Sequence, residues 1–324
     1  MRTITFFNNK GGVGKTTTVY HVAWMLSQLG VKTVAVDLDP QSNLTSMFLN
    51  EERLEEIYEN ESKLTVLESI TPVVSGDPYI PVHVEQITEN LGLIIGNLSL
   101  STFEDKLSKA WLECLGSDIY SFKITGIFNT IINDAARQQN AEVILIDVGP
   151  NLGAINRAVT ISSDYIIMPV ASDLFSLQGI KNLGITLNTW KKDWQDRIDR
   201  KPQSSNFEIP KGKASPAGYI IMQYTAKQSR PVQSYLKWAN RIPYFYSRYV
   251  LNNNQPSSQT VEEDNNCIGL LKHYHSLAPM SMETHKPMFM LRQADGAIGM
   301  HLYAVQKCYD DFETLTKKIV SICK

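Results

Sequence analysis

Apolar residues in this chain fall into short unbroken runs, and longer stripes of helical period separate those runs. Residues 2–8 are rich in β-branched and aromatic side chains and predict a buried strand. Residues 16–29 (TTTVYHVAWMLSQL) predict a helix that Gly30 stops. Residues 31–36 (VKTVAV) predict a second strand, running into Asp37. A strand, a loop, a helix and a strand in this order make the building block of a parallel sheet. Further strands are predicted at 91–96, 142–147, 164–169 and 217–222. Helices are predicted at 102–115, 125–139, 153–162, 176–195 (with Trp190 and Trp194 one turn apart) and 300–322. Apolar runs without alternation fit strands covered on both faces. The fold class is therefore α/β, a mostly parallel twisted sheet flanked by helices.

Two polar stretches interrupt the rhythm. Residues 201–216 (KPQSSNFEIPKGKASP) read as a loop, and residues 252–266 (NNNQPSSQTVEEDNN) as a mobile segment. Neither is long enough to separate domains. For 324 residues we expect one domain over 1–324 carrying these two insertions. At 43% hydrophobic and 20% charged residues the chain supports a buried core. A net charge of -2 excludes a generally basic DNA-coating protein, although a local basic patch remains open. Cys114, Cys267, Cys308 and Cys323 lie far apart with no C-x-x-C pair, as expected of reduced thiols in the cytoplasm, and argue against a zinc or iron–sulfur site. No apolar run approaches the roughly 20 residues of a membrane helix. Residues 1–7 are too short for a signal peptide, so the fold is expected to start with the chain.

The first loop carries the chemistry. It reads Lys10-Gly11-Gly12-Val13-Gly14-Lys15-Thr16-Thr17. Glycines let successive N–H groups turn inward toward phosphate oxygens, and the following helix adds its positive end. In such a loop Lys15 bridges the β- and γ-phosphates of ATP, and the Thr16 hydroxyl ligates Mg2+. Asn9 stands where the general pattern has its first glycine. The position between a strand and a helix is the context this motif requires, so a P-loop NTPase fold is expected. Gly11, Gly12, Val13, Gly14, Lys15, Thr16 and Thr17 are the expected nucleotide-binding residues.

Three carboxylates fall at strand ends. Asp37 and Asp39 close the second strand, and Asp147 closes 142–147. Ligands of open α/β sheets bind beyond the carboxyl ends of the strands. A carboxylate there holds a magnesium shell, orients an attacking water, or merely caps a turn.

Residues 10–17, together with Asp37-Leu38-Asp39-Pro40-Gln41-Ser42-Asn43, resemble the ParA/MinD family of deviant Walker A ATPases, and most closely its ParA partition branch. Asp147-Val148-Gly149-Pro150-Asn151-Leu152-Gly153 is similar to the family's D-x-P-P-x-L-G segment, with Gly149 in place of the first proline. Phe175-Ser176-Leu177-Gln178-Gly179 and residues 288–299 are similar to two later segments. The resemblance implies that Lys10 reaches a dimer partner's ATP, that Asp39 positions the hydrolytic water, and that Asp37 and Asp147 belong to the magnesium shell with Thr16. Lys10, Lys15 and Asp39 are then the catalytic set. It further implies an ATP-dependent homodimer, slow hydrolysis stimulated by an adaptor protein, and a cytoplasmic, nucleoid-associated protein of the short partition type without an N-terminal helix-turn-helix. The family's adenine segment is loosely matched by Gln223-Tyr224-Thr225.

Non-specific DNA binding, also implied, needs basic residues. Lys227 precedes Arg230, Lys237, Arg241 and Arg248, whose spacing places the last four on one helical face, with Pro231 in the first turn and Pro243 as a break or kink. Tyr244, Phe245, Tyr246 and Tyr249 among them read mainly as core. The C-terminal segment 312–324 reads as a packed helix, not a membrane anchor. The expected function is a ParA-like ATPase that partitions or positions DNA or other cargo. The alternative is an ATP-switched scaffold that recruits a protein complex without DNA.

Overall fold

The computed structural model describes residues 1–323 apart from 60–62, 204–206, 225, 228, 229 and 232; for 223, 224, 226, 227, 230, 231 and 233–235 it describes the backbone alone. Its strands are β1 (Arg2–Phe6), β2 (Thr33–Leu38), β3 (Glu85–Thr88), β4 (Leu91–Ile94), β5 (Val143–Val148), β6 (Tyr165–Val170), β7 (Ser215–Tyr224) and β8 (Cys267–Lys272). They form one sheet in the order β8-β7-β6-β1-β5-β2-β4-β3, parallel except for the edge strand β3. The helices are α1 (Lys15–Gln28), α2 (Asn43–Phe48), α3 (Glu51–Tyr58), α4 (Leu67–Ser75), α5 (Glu104–Glu113), α6 (Ile119–Thr125), α7 (Ile127–Gln139), α8 (Ala154–Ile161), α9 (Leu174–Ile198), α10 (Gln233–Ala239), α11 (Ile242–Phe245), α12 (Leu277–Thr284) and α13 (Met300–Ile322). The parallel sheet, the P-loop fold and the elements predicted above are borne out. Edge strands β3 and β8 and helices α2, α3, α4 and α12 were not foreseen.

The sheet divides the core in two. Val34, Val36 and Leu38 of β2 and Ile144, Ile146 and Val148 of β5 face the layer of α4 to α11. Ala35, Val143 and Leu145 face the layer of α1, α2, α12 and α13. Both faces are apolar, as expected of strands covered on both sides. Asp37 pairs with Asp147 across β2 and β5, and Phe6 of β1 pairs with Asp147 on the other side. By alternation both carboxylates share the α1 face with Ala35 and Leu145. A one-residue slip would send them to the opposite layer.

The polar insertions are more firmly tied than their composition suggests. Trp194, fully buried and stacked on Trp111 at 5.5 Å, donates its indole N–H to the carbonyl of Pro210 at 2.9 Å. In 252–266, read above as mobile, Val261 and Asp264 are buried, and the Tyr219 hydroxyl donates to Asp264 at 2.7 Å. One inward apolar residue and one satisfied carboxylate anchor a segment that has no regular structure.

The expected basic helix is not continuous. Residues 226–227 and 230–231 form a two-residue antiparallel ladder, so Pro231 lies in extended chain, not in a first helical turn. Pro243 lies at the start of α11 and separates it from α10, and residues 246–250 form a π turn. Pro lacks the N–H that a continuous helix would need there. Tyr246 is buried as expected of core, whereas Tyr244 is exposed.

His21 joins α1 to the far end of the chain. The Met288 N–H can only donate, so Nε2 accepts from it at 3.0 Å, and Nδ1 carries the proton it gives to the Thr17 carbonyl at 2.7 Å. The ring stacks on Phe312 of α13 at 4.8 Å. Burial holds His21 down to about 4 in the folded protein, partly offset by the Thr17 carbonyl. The unfolded chain takes up this proton near 6.5. The stabilisation from neutral His21 is therefore complete above about pH 6.5 and is lost as pH falls through about 4. We expect wild type to lose about 3 kcal/mol relative to His21→Gln between pH 7 and 4. Urea unfolding of both proteins across that range measures it, and a pH-independent difference would refute it.

Candidate nucleotide-binding site

The loop after β1 turns on two glycines in the left-handed region, Gly12 at φ 71 and Gly14 at φ 80. Gly14 also caps α1. A side chain at either position would be strained by its positive φ. Asn9, in place of a glycine, is accommodated because Gly179 of α9 presents no side chain to it: a Cβ there would stand 3.1 Å from Asn9 Oδ1.

The loop borders a cavity of about 480 Å3. Gly11, Gly12, Val13, Gly14, Lys15, Thr16 and Thr17 all line it, and so do Asp39 and Pro150. The opposite wall is Ala278, Ser281 and Met282 of α12, with Met288. Sequence reasoning missed this wall because a short helix with little amphipathic contrast gives no sharp period. The loosely matched Gln223, Tyr224 and Thr225 lie outside the described side chains.

Asp37 and Asp147 sit beside the loop, fully buried. Asp37 accepts from the N–H and the hydroxyl of Thr45, each at 2.8 Å. Burial pushes it up to about 7 against those bonds, and Asp39 adds to the rise. Neither oxygen of Asp147 has a hydrogen-bond partner of ordinary geometry. Burial first, then Asp37, pushes it up to about 8, with the Thr16 hydroxyl and the Lys15 ammonium acting against. Lys15 is itself buried, which lowers its pKa, while Asp147 and Asp39 hold the proton on. A buried carboxylate without partners is costly and calls for a cation. Among the described residues no three His, Cys, Asp or Glu side chains could hold a metal by themselves. The orphaned oxygens of Asp147 beside the Thr16 hydroxyl suit Mg2+, which keeps waters and takes phosphate oxygens alongside few protein ligands.

Lys10 departs from this cluster. Its ammonium pairs with Asp173 at the N-cap of α9 and lies 3.4 Å from Ser176 Oγ. It does not line the cavity. Against a burial that would raise it, this lysine keeps the Asp173 carboxyl below its ordinary value. The pairing was not legible in the sequence.

Of the expected DNA contacts, Lys237, Arg241 and Arg248 are exposed. Arg241 lies over Trp238 at 5.4 Å and Phe245 at 5.7 Å, and Arg248 donates to Asn254 Oδ1 at 3.2 Å. The side chains of Lys227 and Arg230 lie outside the described residues. No helix among the described residues is long and apolar enough to cross a membrane, and α13 buries Phe312, Leu315 and Ile319 in the core.

A family model described as an AAA domain matches residues 1–200. An uncharacterised protein of Methanocaldococcus jannaschii, MJECL24, is 30% identical over 75% of this chain and 80% of its own length. The chromosome-partitioning ATPase Soj of Thermus thermophilus is 27% identical over 61% of this chain and 66% of its own. This chain belongs to the ParA/MinD family of P-loop ATPases. The match covers 45% of a putative replication protein A of Rhizobium rhizogenes and 46% of the protein IncC of Escherichia coli. A putative plasmid partition protein of Borrelia burgdorferi, solved with AMPPNP, shares the fold at a TM-score of 0.63 and 18% identity over 99% of this chain and 98% of its own. As a ParA/MinD member this chain is an ATPase.

The raised carboxylates yield an expectation. A folded-state pKa above the unfolded value gives stability that is lost as pH rises through it. At pH 8.5, without nucleotide, Asp147→Asn is therefore expected to melt about 3 °C or more above wild type, and the gap to close toward pH 5. Thermal melts at both pH values test it, and a variant less stable than wild type at pH 8.5 would contradict the electrostatics drawn here.

Proposed function

We propose that this chain is a nucleotide-timed positioning ATPase. Two copies close on ATP, hydrolyse it slowly and separate, and the closed form grips DNA without reading its sequence. The observation that carries this reading is the placement of Lys10. A lysine of the phosphate loop that turns away from its own cavity can meet a second copy's phosphates by exchanging its pairing with Asp173 for them. Leu174 and Phe175 follow Asp173 directly and are 45% and 74% exposed, which supplies apolar area beside it for a partner surface. The names of relatives point the same way: Soj is called a chromosome-partitioning ATPase, and PomZ of Myxococcus xanthus a cell division protein.

In this reading the backbone N–H groups of Gly11 to Thr17 hold the phosphates and Lys15 neutralises the β- and γ-oxygens. Thr16, Asp37 and Asp147 serve the magnesium shell, and bound Mg2+ would supply charge neutralisation at the phosphates. The adenine ring lies against the apolar wall of Ala278, Met282 and Met288. Asp39 orients the attacking water. Lys237, Arg241 and Arg248 meet DNA phosphates, and an adaptor protein accelerates hydrolysis.

Lys15→Ala is expected to lose nucleotide binding at least 100-fold by calorimetry. Lys10→Ala is expected to keep nucleotide affinity but to remain monomeric with ATP in light scattering; ATP-dependent dimers of that variant would exclude the cross-subunit role. Replacing Lys237, Arg241 and Arg248 together by Ala is expected to lower the salt slope of DNA binding by about 2 to 3. If wild type with ATP shows no DNA binding at low salt, the closed form recruits protein and not DNA.

A further inference from the structure

The loop after β5 meets Asp39 through a residue with no side chain. A Cβ built on Gly149 would stand 3.3 Å from Asp39 Oδ1 and 3.3 Å from Asn151 Nδ2. An acceptor and a donor therefore flank the bare face of one glycine. The orientation of the Asn151 amide is fixed by its neighbour, because the Gly153 N–H donates to Oδ1 at 2.9 Å. That leaves Nδ2 turned to Gly149, with no protein partner among the described residues. Next to it, Pro150 borders the phosphate cavity, and a Cβ on Gly11 would lie 4.0 Å from its ring.

The loop is held from both sides. Asn156 of α8 is buried, and its Nδ2 donates to the carbonyls of Gly149 and Asn151, each at 2.7 Å. Glu104 of α5 accepts from the N–H groups of Ala154 and Ile155. These bonds fix the backbone that carries Asn151, as preorganisation of a polar site requires.

We propose that Asn151 is a second water-orienting residue of the ATPase, working with Asp39 across Gly149. This deepens the reading above and rests on it. A water over Gly149 donates one hydrogen bond to Asp39 and accepts one from Asn151 Nδ2. Its oxygen bonds to the γ-phosphorus as the bond from phosphorus to the β–γ bridging oxygen breaks, and that electron pair stays on ADP. One water proton remains on the phosphate product, and the other passes to Asp39 and on to solvent. Gly149 is the enabling element, since a side chain there would occupy the water's place.

Three variants test this. Asn151→Asp keeps the acceptor for Gly153 N–H and removes the donor. Gly149→Ala leaves Asn151 and Asp39 intact and fills the space between them. Each is expected to lower kcat about tenfold or more, with affinity for a non-hydrolysable ATP analogue within threefold of wild type. Each is also expected to weaken binding of ADP with aluminium fluoride, which mimics the transition state and its in-line water, by about tenfold. The double variant Gly149→Ala, Asn151→Asp should fall no further than the worse single one, because both act on one water. Either single variant within twofold of wild-type kcat, losses that multiply in the double, or unchanged aluminium fluoride binding would overturn the proposal. Wild type that binds no ATP would instead overturn the reading beneath it.

Discussion

The site rests on the register between β2 and β5. Parallel pairing sets Asp37 opposite Asp147, and alternation turns both toward the helix that begins with Lys15. Backbone hydrogen bonds and two apolar layers enforce this arrangement, not any attraction between the groups. The carboxylates repel each other and have lost their water. The sheet holds them together because slipping one residue would expose a whole apolar face.

That constraint explains the charge balance. Lys15 supplies one buried positive charge among three carboxylates. Thr45 satisfies Asp37, while Asp147 has no hydrogen bond of ordinary geometry. Without nucleotide the cluster is short of positive charge and retains protons at neutral pH. In the function proposed above, a divalent cation held by Thr16, Asp37 and Asp147 would repair both deficits, and the loop amides would bind the phosphates that enter with it. Local instability without ligand thus becomes ligand affinity.

The parts of this design that depend on near neighbours in sequence were legible. Glycine spacing, the strand before and the helix after marked the phosphate loop. Unbroken apolar runs marked the inner strands. What failed to show depends on distant partners or on weak period. β3 and β8 lie at sheet edges: β3 (EQIT) has no buried residue, and Gly269 interrupts the apolar run of β8 (CIGLLK). Lys10 and Asp173 are 163 residues apart, and no local pattern announces that pair. The stripe Arg230 to Arg248 was counted on one helical period, but Pro243 and the extended ladder of 226–227 with 230–231 break the period, so equal spacing no longer means a common face. The segment 252–266 looked free because its composition is polar, yet Val261 and Asp264 suffice to pin it.

The bond between His21 and Met288 spans 267 residues. It has a consequence for how the protein is made. A nascent chain displays its complete glycine turn soon after leaving the ribosome. The wall of α12 and the partner for His21 follow every strand of the sheet. The imidazole is therefore the point at which the last-made part of the cavity lining is fastened to the first.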